Sequence, residues 1–178
     1  NGKFACLMIY LDNNATTQLA PTVIEAINAC LTGTYGNPSS AHSLGVEARK
    51  AVERARESVA ALLGAADPAE ICFTSGGTES DNLAILGALE MQPDKRHIVT
   101  TRVEHEAVRK LCQRLETNGY SVTWLEVDEE GALDLDQLRT TLRADTAIVS
   151  IMMANNETGV LFPVDEISRM VKEHSDAL

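Results

Sequence analysis

The stretch FTSGGTESDN, at residues 73–82, joins a short apolar run to a segment whose apolar residues have helical spacing. The run at residues 70–74 predicts a strand, and the two glycines that follow it predict a tight loop. Glycine is common where the backbone must adopt conformations that other residues rarely tolerate, and we expect such conformations at Gly76 and Gly77. We therefore predict a strand, a glycine loop and a helix in direct succession.

This loop is a candidate anion site. The first N–H groups of a helix lack partners within the helix and lie at the positive end of its dipole. Ser75 or Thr78 is expected to cap the helix, and the hydroxyl groups and glycine backbone together suit a phosphate. The carboxylates of Glu79 and Asp81 would repel a phosphate dianion, so we expect them to point away from it. A plain glycine turn is the alternative interpretation.

The composition is typical of a globular protein that acts on small molecules. The chain has 178 residues, of which 44% are hydrophobic, enough for one domain with a sizeable core. Its net charge of −11 argues against nucleic acid or an anionic membrane surface as a partner. No apolar window is long enough to span a bilayer, and residues 1–10 do not resemble a secretory signal. We therefore expect a cytoplasmic protein with no membrane partner.

The cysteine pattern predicts neither a disulfide framework nor a metal site. Cys6, Cys30, Cys72 and Cys112 are widely separated and lack Cys-x-x-Cys spacing. Cys72 alternates with apolar neighbours in the predicted strand, so it is expected in the core. We expect the other three to be structural as well.

The order of predicted elements indicates an α/β fold. Strands are predicted at residues 70–74, 97–101, 121–127 and 146–152, with helices at 21–33 and 43–63 before them and one helix after each strand. Such alternation favours a mostly parallel sheet flanked by helices.

Three polar loops, at residues 75–78, 104–105 and 155–157, each follow a predicted strand. In a parallel sheet these loops should open on the same edge. Together they offer a phosphate cradle, an imidazole and amide groups, which suit a planar, phosphorylated cofactor. Taken separately, His105 is more often a surface or core histidine, and the two asparagines are more often a turn. Their convergence with the glycine loop favours a functional site.

These motifs resemble, in order along the chain, those of the pyridoxal-phosphate-dependent cysteine desulfurases of the class V aminotransferase group. That family supplies sulfur for iron–sulfur clusters. The matching motifs are YLDNNATT at 10–17, GNPSS at 36–40 with His42, FTSGGTESDN at 73–82, EH at 104–105 with Ala107 and Val108, and NNETG at 155–159.

The resemblance implies the large domain of a fold-type I pyridoxal-phosphate transferase, a mostly parallel sheet flanked by helices that is incomplete in this chain. Residues 1–15 would be an N-terminal segment that packs with the small domain. Residues 16–178 would be the first part of the cofactor-binding large domain.

The resemblance also implies roles for four residues. Gly77 and Thr78 would hold the phosphate of pyridoxal 5′-phosphate, and Asn156 would contact the ring hydroxyl. His105 would stack on the ring as a catalytic residue and be available to relay protons. A homodimer is implied as well.

Part of the family's site has no counterpart in this chain. The aspartate that pairs with the ring nitrogen is expected immediately after Leu178. The segment at 71–74 would lie beside a strand from that later sequence, and not beside the strand at 98–101. The family's cofactor-linking lysine follows a Ser-x-His sequence, a context that is absent around Lys3, Lys50, Lys95, Lys110 and Lys172. No cysteine here matches the one that becomes a persulfide.

We therefore expect the full-length enzyme to convert L-cysteine to L-alanine and to pass its persulfide sulfur to an acceptor or iron–sulfur scaffold protein. The 178-residue chain alone is expected to be inactive. A selenocysteine lyase or another class V aminotransferase is the alternative within the family, and the motifs at 36–40 and 155–159 favour the desulfurase. The alternative from another class is a non-catalytic binding or dimerisation module.

Overall fold

The computed structural model describes residues 9–178, which divide into two compact units, one ending at Phe73 and one spanning Thr74–Leu178. The first unit contains helices α1 (Pro21–Gly33) and α2 (Ser43–Leu63) and a 3₁₀ turn (Pro68–Glu70). The second contains α3 (Gly77–Met91), β1 (His97–Thr101), α4 (Glu106–Thr117), β2 (Ser121–Leu125), α5 (Leu135–Thr141), β3 (Thr146–Ser150) and α6 (Val164–His174). The predicted α/β alternation is confirmed. The expectation for Cys6 falls outside the described residues.

Helix α2 begins and ends where its local signals predict. The Nδ1 atom of His42 accepts a hydrogen bond from the backbone N–H of Gly45, at 3.3 Å, and so caps the first turn. At the other end Gly64 adopts a left-handed conformation, with φ 71°, which a residue with a side chain rarely adopts. His42, which follows the GNPSS motif, therefore has a structural role in this unit.

The GNPSS loop packs closely against the start of α2. A Cβ atom added at Gly36 would lie 2.3 Å from the carbonyl oxygen of Leu44, and one at Gly45 would lie 2.4 Å from that of Ser40. Both glycines are needed because two stretches of backbone touch there.

The apolar face of α1, which its sequence places at helical spacing, is not buried in this unit. Val23, Ile24, Ile27 and Leu31 are all exposed, and no residue of α1 is buried. Periodicity identifies which face of a helix needs covering, but it does not identify what covers it.

The second unit is built on a parallel three-stranded sheet in the order β2-β1-β3. All five residues of β1 are buried. The other edge of β3 is engaged by the end of the chain, because the N–H of Leu178 donates to the Ala147 carbonyl at 3.1 Å and the Leu178 carbonyl accepts from Val149 N–H at 2.9 Å. This pair of bonds is the pattern of a parallel ladder.

Helices cover both faces of this sheet, as parallel sheets require. Alternate residues of β1 enter two different apolar clusters, Ile98 with residues of α3 and α4, and Val99 with residues of α5 and α6. The buried helical partners are Ile85, Leu89, Val108, Leu111, Cys112 and Leu115 in the first cluster and Leu138, Ile167 and Val171 in the second.

The strand predicted at residues 70–74 is not observed as a paired strand. Ile71 is extended, with φ −87° and ψ 119°, but the segment makes no sheet ladder within the described chain. Arg56 of α2 donates to the Ile71 carbonyl and lies 5.0 Å from the centre of the Phe73 ring. Cys72 is exposed, so the prediction that it lies in the core is wrong. The alternating pattern is real, but its packing depends on a neighbouring strand that the described residues do not supply.

Candidate active site

The glycine loop leads into α3, whose N-terminus has no side-chain cap. Gly76 is the capping residue, and the prediction that Ser75 or Thr78 caps the helix is wrong. The N–H and the hydroxyl of Ser75 instead donate to the Glu79 carboxylate, both at 2.6 Å. The Ser75 side chain is thus directed to the Glu79 carboxylate, and no side-chain oxygen accepts the backbone N–H groups of the first turn of α3.

The loop is held in shape by its own side chains. The hydrogen bonds from Ser75 lower the pKa of Glu79, which keeps this carboxylate ionised. The hydroxyls of Thr74 and Ser80 lie 2.6 Å apart, and the Asn82 amide donates to the Thr78 carbonyl at 2.7 Å. The position of Thr78 is therefore set before any ligand binds.

The glycines of this loop are not required by its backbone conformation. Gly76 is extended, with φ 163°, and Gly77 is helical, so neither adopts the left-handed region. A Cβ atom added at either position meets nothing within 4 Å. The expectation that they supply an unusual conformation is wrong, and what they provide is open space above the start of α3.

His105 lies at the junction of β1 and α4. Its Nδ1 atom accepts a hydrogen bond from the N–H of Ala107, at 3.2 Å, and so caps α4. Because Nδ1 is an acceptor, the proton of the neutral ring lies on Nε2, which is left as a donor. The side chain is exposed, so this donor is available to a ligand.

Asn156 lies in the turn that follows β3. The Oδ1 atom of Asn155 accepts the N–H groups of Glu157 and Thr158, both at 2.9 Å, and Gly159 closes the turn with φ 76°. Asn156 is held on the exposed side of this turn.

Two clefts meet at His105, each with a volume of about 380 Å³. We name them the helix cleft, between α3 and α4, and the loop cleft, between the turns after β1 and β3. The helix cleft is lined by Thr78, Asn82, His105, Glu106, Ala107, Lys110, Leu111 and Arg114. The loop cleft is lined by Arg102, Val103, Glu104, His105, Glu106, Arg109, Asn155, Asn156, Glu157 and Thr158. His105 thus lines both the cleft that contains Thr78 and the cleft that contains Asn156.

The helix cleft has the chemistry of an anion site. Two cations, Lys110 and Arg114, line it together with the Thr78 hydroxyl. Lys110 is paired with Glu106 at 2.6 Å, which limits its free charge. The cleft therefore combines hydrogen-bond donors for an anion with a flat imidazole.

Two further residues were not given roles from the sequence. Glu104 is only 8% exposed and accepts the backbone N–H of Met152 at 2.6 Å. Asn155 donates to the carbonyl of Val103 at 3.1 Å. The sequence held one signal for Glu104, because it is an acidic residue directly before a histidine at the end of a predicted buried strand.

Within residues 9–178 no group of three or more His, Cys, Asp or Glu side chains could hold a metal ion. None of the helices in that range is long and apolar enough to cross a membrane.

The chain belongs to the aminotransferase class-V family, which matches residues 9–178. It is 58% identical over 176 residues to a cysteine desulfurase of Nostoc sp. (strain PCC 7120 / SAG 25.82 / UTEX 2576), covering 96% of this chain and 44% of that relative. The family resemblance and the α/β fold predicted from the sequence are confirmed.

Two solved structures agree with this assignment. One, described as a NifS-like protein, has a TM-score of 0.90 at 40% identity and covers 95% of this chain and 48% of its own. The other, described as SspA in complex with cysteine, has a TM-score of 0.87 at 36% identity and covers 94% of this chain and 48% of its own. The chain therefore spans a little under half the length of the proteins it matches.

Proposed function

We propose that this chain forms the phosphate-binding and ring-binding wall of a pyridoxal-phosphate-dependent cysteine desulfurase. The observation that carries the proposal is that His105 lines both the cleft of Thr78 and the cleft of Asn156. Relatives named cysteine desulfurase, and a neighbour described in complex with cysteine, support L-cysteine as the substrate.

The residues present fit the cofactor. A phosphate needs several donors, and the uncapped N-terminus of α3, the exposed Thr78 hydroxyl and the cations Lys110 and Arg114 supply them. The open space at Gly77 would let a phosphate oxygen approach the backbone closely.

Each site residue then has a definite task. The N–H groups of Gly77 and Thr78 and the Thr78 hydroxyl would bind the phosphate, and the Asn156 amide would contact the ring hydroxyl. His105 would stack on the ring and orient it, and its Nε2–H would be the group that holds or passes a proton. Bound pyridoxal phosphate supplies the electron sink that stabilises negative charge at the substrate's Cα.

The wider assignment rests on the resemblance. We propose a cytoplasmic homodimer that passes sulfur from L-cysteine to an acceptor or iron–sulfur scaffold protein. Residues 1–15 would pack with the small domain, and residues 16–178 would begin the large domain. The lysine, aspartate and persulfide cysteine of the family would come from sequence outside this chain.

The substitution His105→Asn in the full-length enzyme tests the proposal. Asparagine is a good N-cap, so α4 should keep its cap while the imidazole is lost. We expect an unchanged melting transition, an altered absorbance of the bound cofactor, and cysteine turnover lowered about 100-fold or more, in the range for loss of a group that takes part in proton transfer.

The control is His174→Asn, which changes an exposed histidine of α6 that bonds the Met170 carbonyl. It should leave turnover and absorbance unchanged. If His105→Asn keeps wild-type turnover, His105 is a helix cap only and the proposed site is wrong.

A further inference from the structure

Two side chains tie together the turns that carry His105 and Asn156, and they cross in opposite directions. From the turn after β1, Glu104 reaches over to accept the Met152 N–H at 2.6 Å. From the turn after β3, Asn155 reaches back to donate to the Val103 carbonyl at 3.1 Å. Each of these two residues directly precedes a proposed cofactor-binding residue.

The carboxylate of Glu104 is buried among backbone donors. Burial raises the pKa of this carboxyl, the Met152 N–H opposes the shift, the Asp81 carboxylate adds to it, and the His105 N–H opposes it. A buried carboxylate is costly unless it is hydrogen-bonded, and here its donors come from both turns. Its contacts therefore join the backbone of His105 to the backbone that follows β3.

Asn155 uses both ends of its amide. Its oxygen accepts the N–H groups of Glu157 and Thr158, which shapes the turn around Asn156. Its nitrogen binds the Val103 carbonyl on the other turn. A single half-buried side chain thus sets both the form of one turn and its distance from the other.

We propose that Glu104 and Asn155 are positioning residues that set the separation between the His105 imidazole and the Asn156 amide, and so the orientation of a flat ligand that touches both. This inference rests on the proposed function. The ligand class is a planar ring with a hydroxyl substituent. A displacement of about 1 Å at such a site can cost about 100-fold in rate, so a rigid link between the two turns has a direct use.

The test uses the full-length enzyme with pyridoxal phosphate and four variants: Glu104→Ala, Glu104→Gln, Asn155→Ala and the control Glu116→Ala. Glu116 is an exposed carboxylate of α4 that also accepts one N–H, from Trp124 at 3.1 Å, and it links no turns. The readouts are the circular dichroism of the bound cofactor, its dissociation constant by dialysis, and kcat and KM for cysteine.

We expect Glu104→Ala and Asn155→Ala to lose most of the dichroism of the bound cofactor, to bind it about 10-fold more weakly, and to lower kcat by about 10-fold to 100-fold with a smaller change in KM. Glu104→Gln should recover most of each loss, because its amide oxygen can still accept the Met152 N–H. Glu116→Ala should match the wild type.

The proposal is overturned if the alanine variants keep the wild-type dichroism and kcat and only melt at lower temperature. If Glu104→Ala does not fold, the test rests on Asn155→Ala and Glu104→Gln. In that case, a wild-type kcat and wild-type dichroism in Asn155→Ala would contradict the proposal. Failure of the wild type to form alanine from cysteine would contradict the proposed function. The dichroism and the dissociation constant of the cofactor would still test the positioning role of Glu104 and Asn155.

Discussion

At the residue scale, the fold does not require a glycine at position 77, whereas the proposed phosphate site does. An added Cβ atom at Gly77 meets nothing within 4 Å, so Gly77→Ala should not lower the free energy of unfolding. The new methyl group would occupy the space through which a phosphate oxygen reaches the helix N-terminus. We expect the dissociation constant of the full-length enzyme for pyridoxal phosphate to rise about 10-fold or more by equilibrium dialysis, as for loss of one charged hydrogen bond.

The matched control for Gly77 lies in the same helix. Gly87 also has nothing within 4 Å of an added Cβ atom, so Gly87→Ala makes the same chemical change ten residues away in α3. It should leave cofactor binding unchanged and stabilise the helix by up to about 1 kcal/mol. Equal cofactor affinities for the two variants would contradict the proposal that the phosphate binds at the N-terminus of α3.

The proposed site residues lie in short motifs, and this is why the sequence and its family resemblance could indicate them as candidates. Thr78 follows Gly77 at the start of α3, His105 follows Glu104 at the start of α4, and Asn156 follows Asn155 in the turn after β3. The role of Glu104 could not be predicted, because its partner, Met152, is 48 residues away. Local pattern identifies a candidate residue, while its hydrogen-bond partner depends on the packing of the sheet.

At the element scale, the three strands of the sheet are joined by one histidine. His97 begins β1, and its ring nitrogens lie 2.8 Å from the Thr146 hydroxyl of β3 and 2.9 Å from the Thr123 hydroxyl of β2. Burial lowers the pKa of His97 below its usual 6.5, the Arg143 cation adds to the shift, and Asp145 opposes it. The folded protein therefore holds this ring neutral.

The pH dependence of stability follows from that neutral ring. Below the unfolded pKa of 6.5 the unfolded chain binds a proton that folded His97 resists, so stability falls as pH drops through this value and is unaffected by His97 above it. Between about pH 7.5 and 5.5 the free energy of unfolding from urea titrations should fall more in the wild type than in His97→Asn, by up to about 1.4 kcal/mol per pH unit. Equal slopes in the wild type and in His97→Asn would show that the folded protein does not hold His97 neutral.

Elements set by local signals were predicted well, and elements set by distant partners were not. The bounds of α2 follow from a cap and a glycine within its own sequence, and Asp134 caps α5 as its position indicates. The segment at 71–74 has the pattern of a strand and does not pair with β1, as the resemblance implied, because a strand forms only with a neighbour and its own is not among the described residues. The cap of α3 was misassigned because Ser75 donates to the Glu79 carboxylate, a side-chain contact that spacing alone does not reveal.

At the scale of the whole molecule, the two units differ in how much apolar surface they cover. The sheet of the second unit has helices on both faces, whereas α1 exposes a continuous apolar face and α2 ends with Leu62 and Leu63 exposed. Relatives of this chain are more than twice as long. A large apolar face of this kind marks a surface that another segment or chain covers.

Product analysis of the full-length enzyme with L-cysteine and pyridoxal phosphate tests the central claim most directly. The proposed desulfurase should form alanine, with one equivalent of sulfur for each alanine recovered as persulfide, or as sulfide when a thiol reductant is added. With selenocysteine as the competing substrate, a marked preference for selenium would instead indicate a selenocysteine lyase. A keto acid as the product would indicate amino transfer, and the absence of any product would favour a binding module. A preference for selenium, a keto acid or no product would each contradict the proposed desulfurase.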